Sequence, residues 1–134
     1  MNCVLVTGAT INTGVAIVEK FASEGKNVVF TGRNAESVAR AEQSYRERFP
    51  NVSICGYVLR SMIDDRTVDE QGVVALFEAL DQKGIFVETL VLNAADLGVG
   101  IKALESPVTD FMRVINTNIV WNYCICEQAV RRMK

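Results

Sequence analysis

Histidine is absent from the 134 residues of this chain. That removes the side chain most often used as a general base near neutral pH and as a transition-metal ligand. Proline is scarce, with only Pro50 and Pro107, so few points in the chain are barred from regular structure. The four cysteines, Cys3, Cys55, Cys124 and Cys126, form no Cys-x-x-Cys pair. Cys124 and Cys126, two apart on an expected helix, point in different directions. The expectation is buried free thiols in a reducing cytoplasm. Basic charge is not in excess: 14 Lys and Arg stand against 16 Asp and Glu, and nucleic-acid binding normally draws on a basic patch. No apolar run approaches the ~20 residues of a membrane helix. The N-terminus lacks the basic region and apolar stretch of a signal peptide. Neither nucleic acid nor membrane is therefore expected as a partner.

What is present is an alternation of apolar strands with amphipathic helices. Residues 3–7 form an apolar strand, and a helix from Gly14 to Glu24 sets Val15, Val18 and Ala22 on one face. Strands follow at 27–31, 52–59 and 88–93. Helices are expected at 35–49, ended by Pro50, and at 67–83. Residues 60–70 read as a polar loop. The last helix is expected to start at Pro107, capped by Ser106, and to continue towards the end of the chain. Strands joined through helices run parallel, and right-handed crossovers place helices on both faces. The predicted architecture is α/β, a doubly wound parallel sheet with strand order 3-2-1-4.

The first strand runs directly into Thr7-Gly8-Ala9-Thr10-Ile11-Asn12-Thr13-Gly14. An apolar strand, a Gly-containing turn and a helix start together form a dinucleotide pyrophosphate site of Rossmann type. Gly8 supplies the tight turn and Gly14 lets the helix approach the strand. Asn12 stands where glycine is usual and is one of the few residues that tolerate positive φ. The helix start then offers unpaired N–H groups and a positive dipole end. The second strand ends Phe30-Thr31-Gly32-Arg33-Asn34, with no carboxylate to grip an adenosine ribose. Arg33 instead supplies a cation for a 2′-phosphate, which favours NADP over NAD.

Together these segments resemble the short-chain dehydrogenase/reductase family. Thr7 to Gly14 is similar to that family's Thr-Gly-x-x-x-Gly-x-Gly turn, and Leu92-Asn93-Ala94-Ala95 to its Asn-Asn-Ala-Gly motif. The run from Phe111 to Ile119 is similar to the start of its long helix. The whole chain, 1–134, then corresponds to about the first half of a family member, an incomplete dinucleotide-binding domain. By that resemblance, Gly8, Thr10, Ile11, Asn12 and Gly14 line the pyrophosphate, and Arg33 and Asn34 lie at the adenosine phosphate. Asn93, Ala94 and Ala95 line the ribose. Asn118 matches the family asparagine whose backbone holds a proton-relay water, with Asn116 two places early. Asn12 and Ala95 each replace a family glycine. The adenine-contacting Asp falls near Val58, with Asp64 and Asp65 a few residues on.

The family's chemistry needs a Tyr acid, a Lys four residues later and a Ser. Here Phe49 follows Tyr45, Ser61 follows Tyr57 and Glu127 follows Tyr123 at that distance, so the chain alone is expected to be inactive. Leu90-Val91-Leu92 would also leave an apolar edge, so the chain is expected to be a piece of a larger unit. The resemblance implies hydride transfer between NADP(H) and a carbonyl or secondary alcohol, such as a 3-ketoacyl compound. A homo-oligomer built through the last helix, with Trp121, Ile125 and Met133 as contacts or core, is also implied. Two alternatives stay open: a non-catalytic nucleotide-sensing module, and a fragment that interacts through its helix.

Overall fold

Short runs of valine, leucine and isoleucine, each ended by a polar turn, become four strands. The segments between them carry apolar residues at helical spacing and become helices. The computed structural model describes residues 1–133. In order the elements are β1 (Asn2–Val6), α1 (Asn12–Ser23), β2 (Val28–Gly32), α2 (Ala35–Arg48), β3 (Ile54–Val58), α3 (Glu70–Gln82), β4 (Phe86–Val91), α4 (Val108–Ile115), a π-helical segment (Asn116–Trp121) and α5 (Asn122–Arg132). All strand pairs are parallel and the order is β3-β2-β1-β4, as the alternation predicts.

Because side chains alternate across a strand, the sheet feeds two cores. Val4, Val6, Val28 and Phe30 meet Val18 and Ala22 of α1 and Val38 and Tyr45 of α2. Cys3, Leu5 and Val29 meet Val73, Phe77 and Leu80 of α3, together with Trp121, Ile125 and Ala129. β2 is buried along its whole length, as a strand with helices on both faces must be. Each large apolar side chain in these layers contributes roughly 1.5–3 kcal/mol through burial. Every strand thereby ends at the same rim of the sheet, and that rim carries the candidate site.

The structure corrects several sequence expectations. α3 starts at Glu70, not Thr67, because the Asp69 carboxylate accepts from the Gly72 N–H at 2.9 Å and sets the first turn there. The polar stretch before it folds back on itself through an antiparallel bridge between Met62 and Val68. Asp64 closes that turn by accepting from the N–H groups of Arg66 and Thr67, both at 2.8 Å. Ser106 does not cap the last helix. Its hydroxyl accepts from the Lys102 N–H at 2.9 Å, and Pro107 takes the cap position without a side-chain bond.

The last helix is also not one continuous element, since the π-helical segment divides it. Trp121 and Ile125 are core residues and Met133 packs against the same cluster. The exposed apolar positions of this region are Val108, Phe111, Ile115, Ile119, Tyr123 and Val130. Of the four free thiols only Cys3 is buried; the other three are half-buried. Among the described residues no helix is long and apolar enough to cross a membrane. Among the described residues no cluster of three or more Cys, Asp or Glu could hold a metal ion.

β3 is a sheet edge, and an edge strand leaves every second N–H and C=O without a strand partner. Two side chains one turn apart on α2 fill that role. The Gly56 N–H donates to Glu42 Oε2 at 2.7 Å, and Arg46 Nε donates to the Ile54 carbonyl at 2.9 Å. The two are themselves paired at 3.3 Å. Replacing both Glu42 and Arg46 by alanine is expected to speed hydrogen exchange at the Gly56 amide roughly fivefold, the loss of one hydrogen bond worth about 1 kcal/mol. Sedimentation of the same variant should show concentration-dependent association. Unchanged exchange at Gly56 would refute this role for the pair.

Candidate functional site

The turn after β1 is held by its neighbours on three sides. Thr7 is fully buried, and its Oγ1 accepts from the N–H groups of Asn93 and Ala94 at 3.0 and 3.1 Å. That joins the ends of β1 and β4. Gly8, at φ +66°, donates its N–H to Thr31 Oγ1 at 3.3 Å, and its carbonyl accepts from Asn93 Nδ2 at 3.0 Å. A Cβ on Gly8 would lie 2.8 Å from the Ala94 Cβ. On Gly14 it would lie 2.3 Å from the Gly8 carbonyl oxygen and 2.6 Å from the Ala9 Cα. These two positions admit only glycine because backbone passes backbone there.

Asn12 sits at φ +53°, so it occupies the glycine-like conformation that the turn requires. It becomes the first residue of α1. Ile11 precedes it in extended conformation, and no side chain caps the helix. By contrast, Asn34 caps α2 and Asp69 caps α3. The first turn of α1 also carries no acidic residue. The N–H groups of Thr10 and Ile11 find no acceptor among the described residues. A helix start with free amides and no competing carboxylate is built for an anion. The donor set of this corner, main-chain amides with no carboxylate beside them, is chemically suited to a pyrophosphate.

Arg33 is exposed at the end of β2 and makes no ion pair among the described residues. Its charge adds a little to the Arg113 and Gly98 hydrogen bonds that hold the Asp96 carboxyl below its ordinary range. Asn34 spends its side-chain oxygen on the N–H groups of Glu36 and Ser37, at 2.8 and 3.2 Å. Val58 is 44% exposed and its side chain offers no polar atom. Ala94 is half-buried against Gly8, whereas Ala95 is exposed and makes no polar contact among the described residues.

Asn118 lies inside the π-helical segment. Its side chain clasps the backbone of Asp96 on both sides. Oδ1 accepts from the Asp96 N–H at 2.9 Å, and Nδ2 donates to the Asp96 carbonyl at 2.8 Å. The Asn118 carbonyl accepts from Asn122 Nδ2 at 2.9 Å, and Asn122 Oδ1 is buried without a partner. Asn116 makes no side-chain hydrogen bond among the described residues. π-helical turns shift the backbone ladder out of register, and Asn118 lies within that shifted stretch.

The family profile described as short chain dehydrogenase matches residues 2–134. The chain belongs to the short chain dehydrogenase family. It is 30% identical over 132 residues to the NADP-dependent (R)-specific alcohol dehydrogenase of Lentilactobacillus kefiri, covering 97% of this chain and 48% of that protein. L-sorbose reductase from Gluconobacter frateurii, solved with NADPH and L-sorbose, superimposes with a TM-score of 0.81 at 23% identity, over 96% of this chain and 46% of the reductase. NAD+-bound xylitol dehydrogenase superimposes with a TM-score of 0.81 at 27% identity, over 98% and 47%. The chain spans about half the length of the relatives it matches.

In this member of the short chain dehydrogenase family, several supporting residues escape a motif reading. Thr7 and Thr31 are the polar residues that close two apolar strands, and their position was the available signal. Asp96 and Arg113 carry no pattern of their own. Arg113 Nε donates to Asp96 Oδ2 at 2.6 Å, while Asp96 Oδ1 accepts from the Gly98 N–H at 2.9 Å. The Arg113 hydrogen bond, then the Gly98 N–H, holds the Asp96 carboxyl below the usual carboxylate range.

A depressed folded-state value means that the pair stabilises above the unfolded value near 4 and loses that effect as pH falls through the lower folded value. Arg113→Gln is therefore expected to lower the thermal midpoint at pH 7. The gap to the wild type should close as the pH is taken below about 4. Thermal melts across pH check this, and a gap that persists in acid would contradict it.

Proposed function

We propose that this chain is the dinucleotide-binding part of an NADP-dependent oxidoreductase that interconverts a carbonyl and a secondary alcohol. The observation that carries the reading is the turn from Gly8 to Gly14, where two glycines let the backbones pass in contact and the Thr10 and Ile11 amides are left without protein acceptors. Gly8, Thr10, Ile11, Asn12 and Gly14 would hold the pyrophosphate, and Asn93, Ala94 and Ala95 the ribose beside it. Arg33 would pair with a 2′-phosphate, with Asn34 shaping the backbone next to it. A bound nicotinamide supplies or accepts the hydride. The NADP-dependent alcohol dehydrogenase among the relatives supports the cofactor, as does the absence of a carboxylate at the end of β2.

Asn118 would serve the proton path through its backbone carbonyl, with the Asp96 clasp fixing the residue in place. A small apolar cleft of about 210 Å³, lined by Gly98, Ile101, Phe111 and Val114, favours a substrate with an apolar substituent, as in a 3-ketoacyl compound. The exposed apolar stripe from Val108 to Val130 favours pairing with a second copy. The free thiols suit a reducing cytoplasm.

Titration with NADPH and NADH, followed by nicotinamide fluorescence and calorimetry, tests this reading. NADPH is expected to bind the more tightly. Arg33→Ala should cost NADPH roughly tenfold in affinity, about 1.4 kcal/mol, and leave NADH unchanged. Gly14→Ala should abolish binding of both. No heat with either cofactor would overturn the reading.

A further inference from the structure

Tyr45 stands on α2, in the element behind the phosphate-binding turn, and is 1% exposed. Its ring meets Phe30 edge-on, with centroids 5.1 Å apart, and the Arg48 guanidinium lies 5.5 Å from its centre. Packing alone would explain a phenylalanine here. The hydroxyl needs its own account. It donates to the Ala9 carbonyl at 2.6 Å, across 36 residues of sequence.

Ala9 is fully buried, and its N–H donates to the Thr31 carbonyl at 2.9 Å. The residue is thus gripped on both sides, by β2 through its N–H and by α2 through its carbonyl. In a planar trans peptide the C=O and the following N–H point in opposite directions. Drawing the Ala9 carbonyl towards α2 therefore aims the Thr10 N–H away from α2. That N–H finds no acceptor among the described residues. The same bond keeps a carbonyl dipole, which would repel an anion, turned out of the turn.

We infer that Tyr45 is a positioning residue for the dinucleotide site, its hydroxyl fixing the Ala9–Thr10 peptide so that the Thr10 amide is presented to phosphate. This rests on the nucleotide reading of the turn. Burial pushes the phenol up to about 12, so the hydroxyl stays a donor at any ordinary pH. Neither the glycine pattern nor the helix start involves Tyr45, which lies 31 residues beyond Gly14 (45 less 14).

Tyr45→Phe keeps the ring and removes only the donor. Replacement by p-aminophenylalanine keeps a donor at the same place. Val73→Ala, in the core on the opposite face of the sheet, controls for lost stability. In NADPH titrations of the chain, Tyr45→Phe is expected to weaken binding roughly tenfold. The p-amino variant should restore most of it, and Val73→Ala should leave it unchanged. In ¹H–¹⁵N spectra without ligand, the Thr10 amide should shift in Tyr45→Phe and return in the p-amino variant.

Equal binding by wild type and Tyr45→Phe would overturn the inference, as would equal weakening by Val73→Ala. If the wild type binds no NADPH, the nucleotide reading fails. The Thr10 resonance then decides separately whether Tyr45 sets the peptide, and an unmoved resonance overturns that as well. If Tyr45→Phe does not fold, the p-amino variant alone decides: wild-type affinity and Thr10 resonance support the donor role, and loss of either overturns it.

Discussion

The structure depends on how closely the start of α1 passes the end of β1. Two glycines permit that approach: a methyl group on Gly14 would sit inside the Gly8 carbonyl, and one on Gly8 would strike Ala94. Once the backbones meet at this distance, the peptide groups of the corner cannot pair with each other in a regular ladder. They are recruited elsewhere or left open. Thr7, Thr31 and Asn93 satisfy the groups that face protein. The amides that face outward have only solvent or a ligand. A buried polar group without a partner costs ~1–3 kcal/mol, so the inward groups of this corner take side-chain or main-chain partners, and the Thr10 and Ile11 amides stay open.

A second anchor lies at the far end of the same rim. The Asn118 side chain holds the backbone of Asp96, and Asp96 holds Arg113 and Gly98. Asn118 makes this clasp from within the π-helical segment. The loop after β4 is tied at its start to Thr7, through Asn93 and Ala94, and at Asp96 to the helix. Cations thus stand at two points of the rim, Arg33 after β2 and Arg113 on α4, with the Asp96 carboxylate responding to both. The net charge of the chain, −2, gives no hint of this local arrangement.

Much of this was legible beforehand because it rests on short-range pattern. Alternating apolar strands and amphipathic helices require a parallel sheet, and the order 3-2-1-4 followed. Asn12 in a glycine position read correctly as a residue able to take positive φ. The element ends were less legible where competing side chains decide them. Asp69 outcompetes Thr67 as the start of α3 because its carboxylate reaches the Gly72 amide. Ser106 turns back to Lys102 instead of forward into α4. The break in the last helix and the burial of Trp121 depend on what packs against them, which no local pattern carries.

The sequence by itself determined the succession of elements, the glycine-lined corner and the absence of an acid at the end of β2, since each is set by residue type and spacing along the chain. Only the tertiary structure decided which groups are left free and which are spent. Asn34 and Asp64 turned out to be local caps, Asn118 a clasp on Asp96, and Tyr45 a donor to the turn. The reason is that a hydrogen bond over 36 residues exists only once two elements have packed, and a donor is available to a ligand only if no neighbour in the finished fold has claimed it.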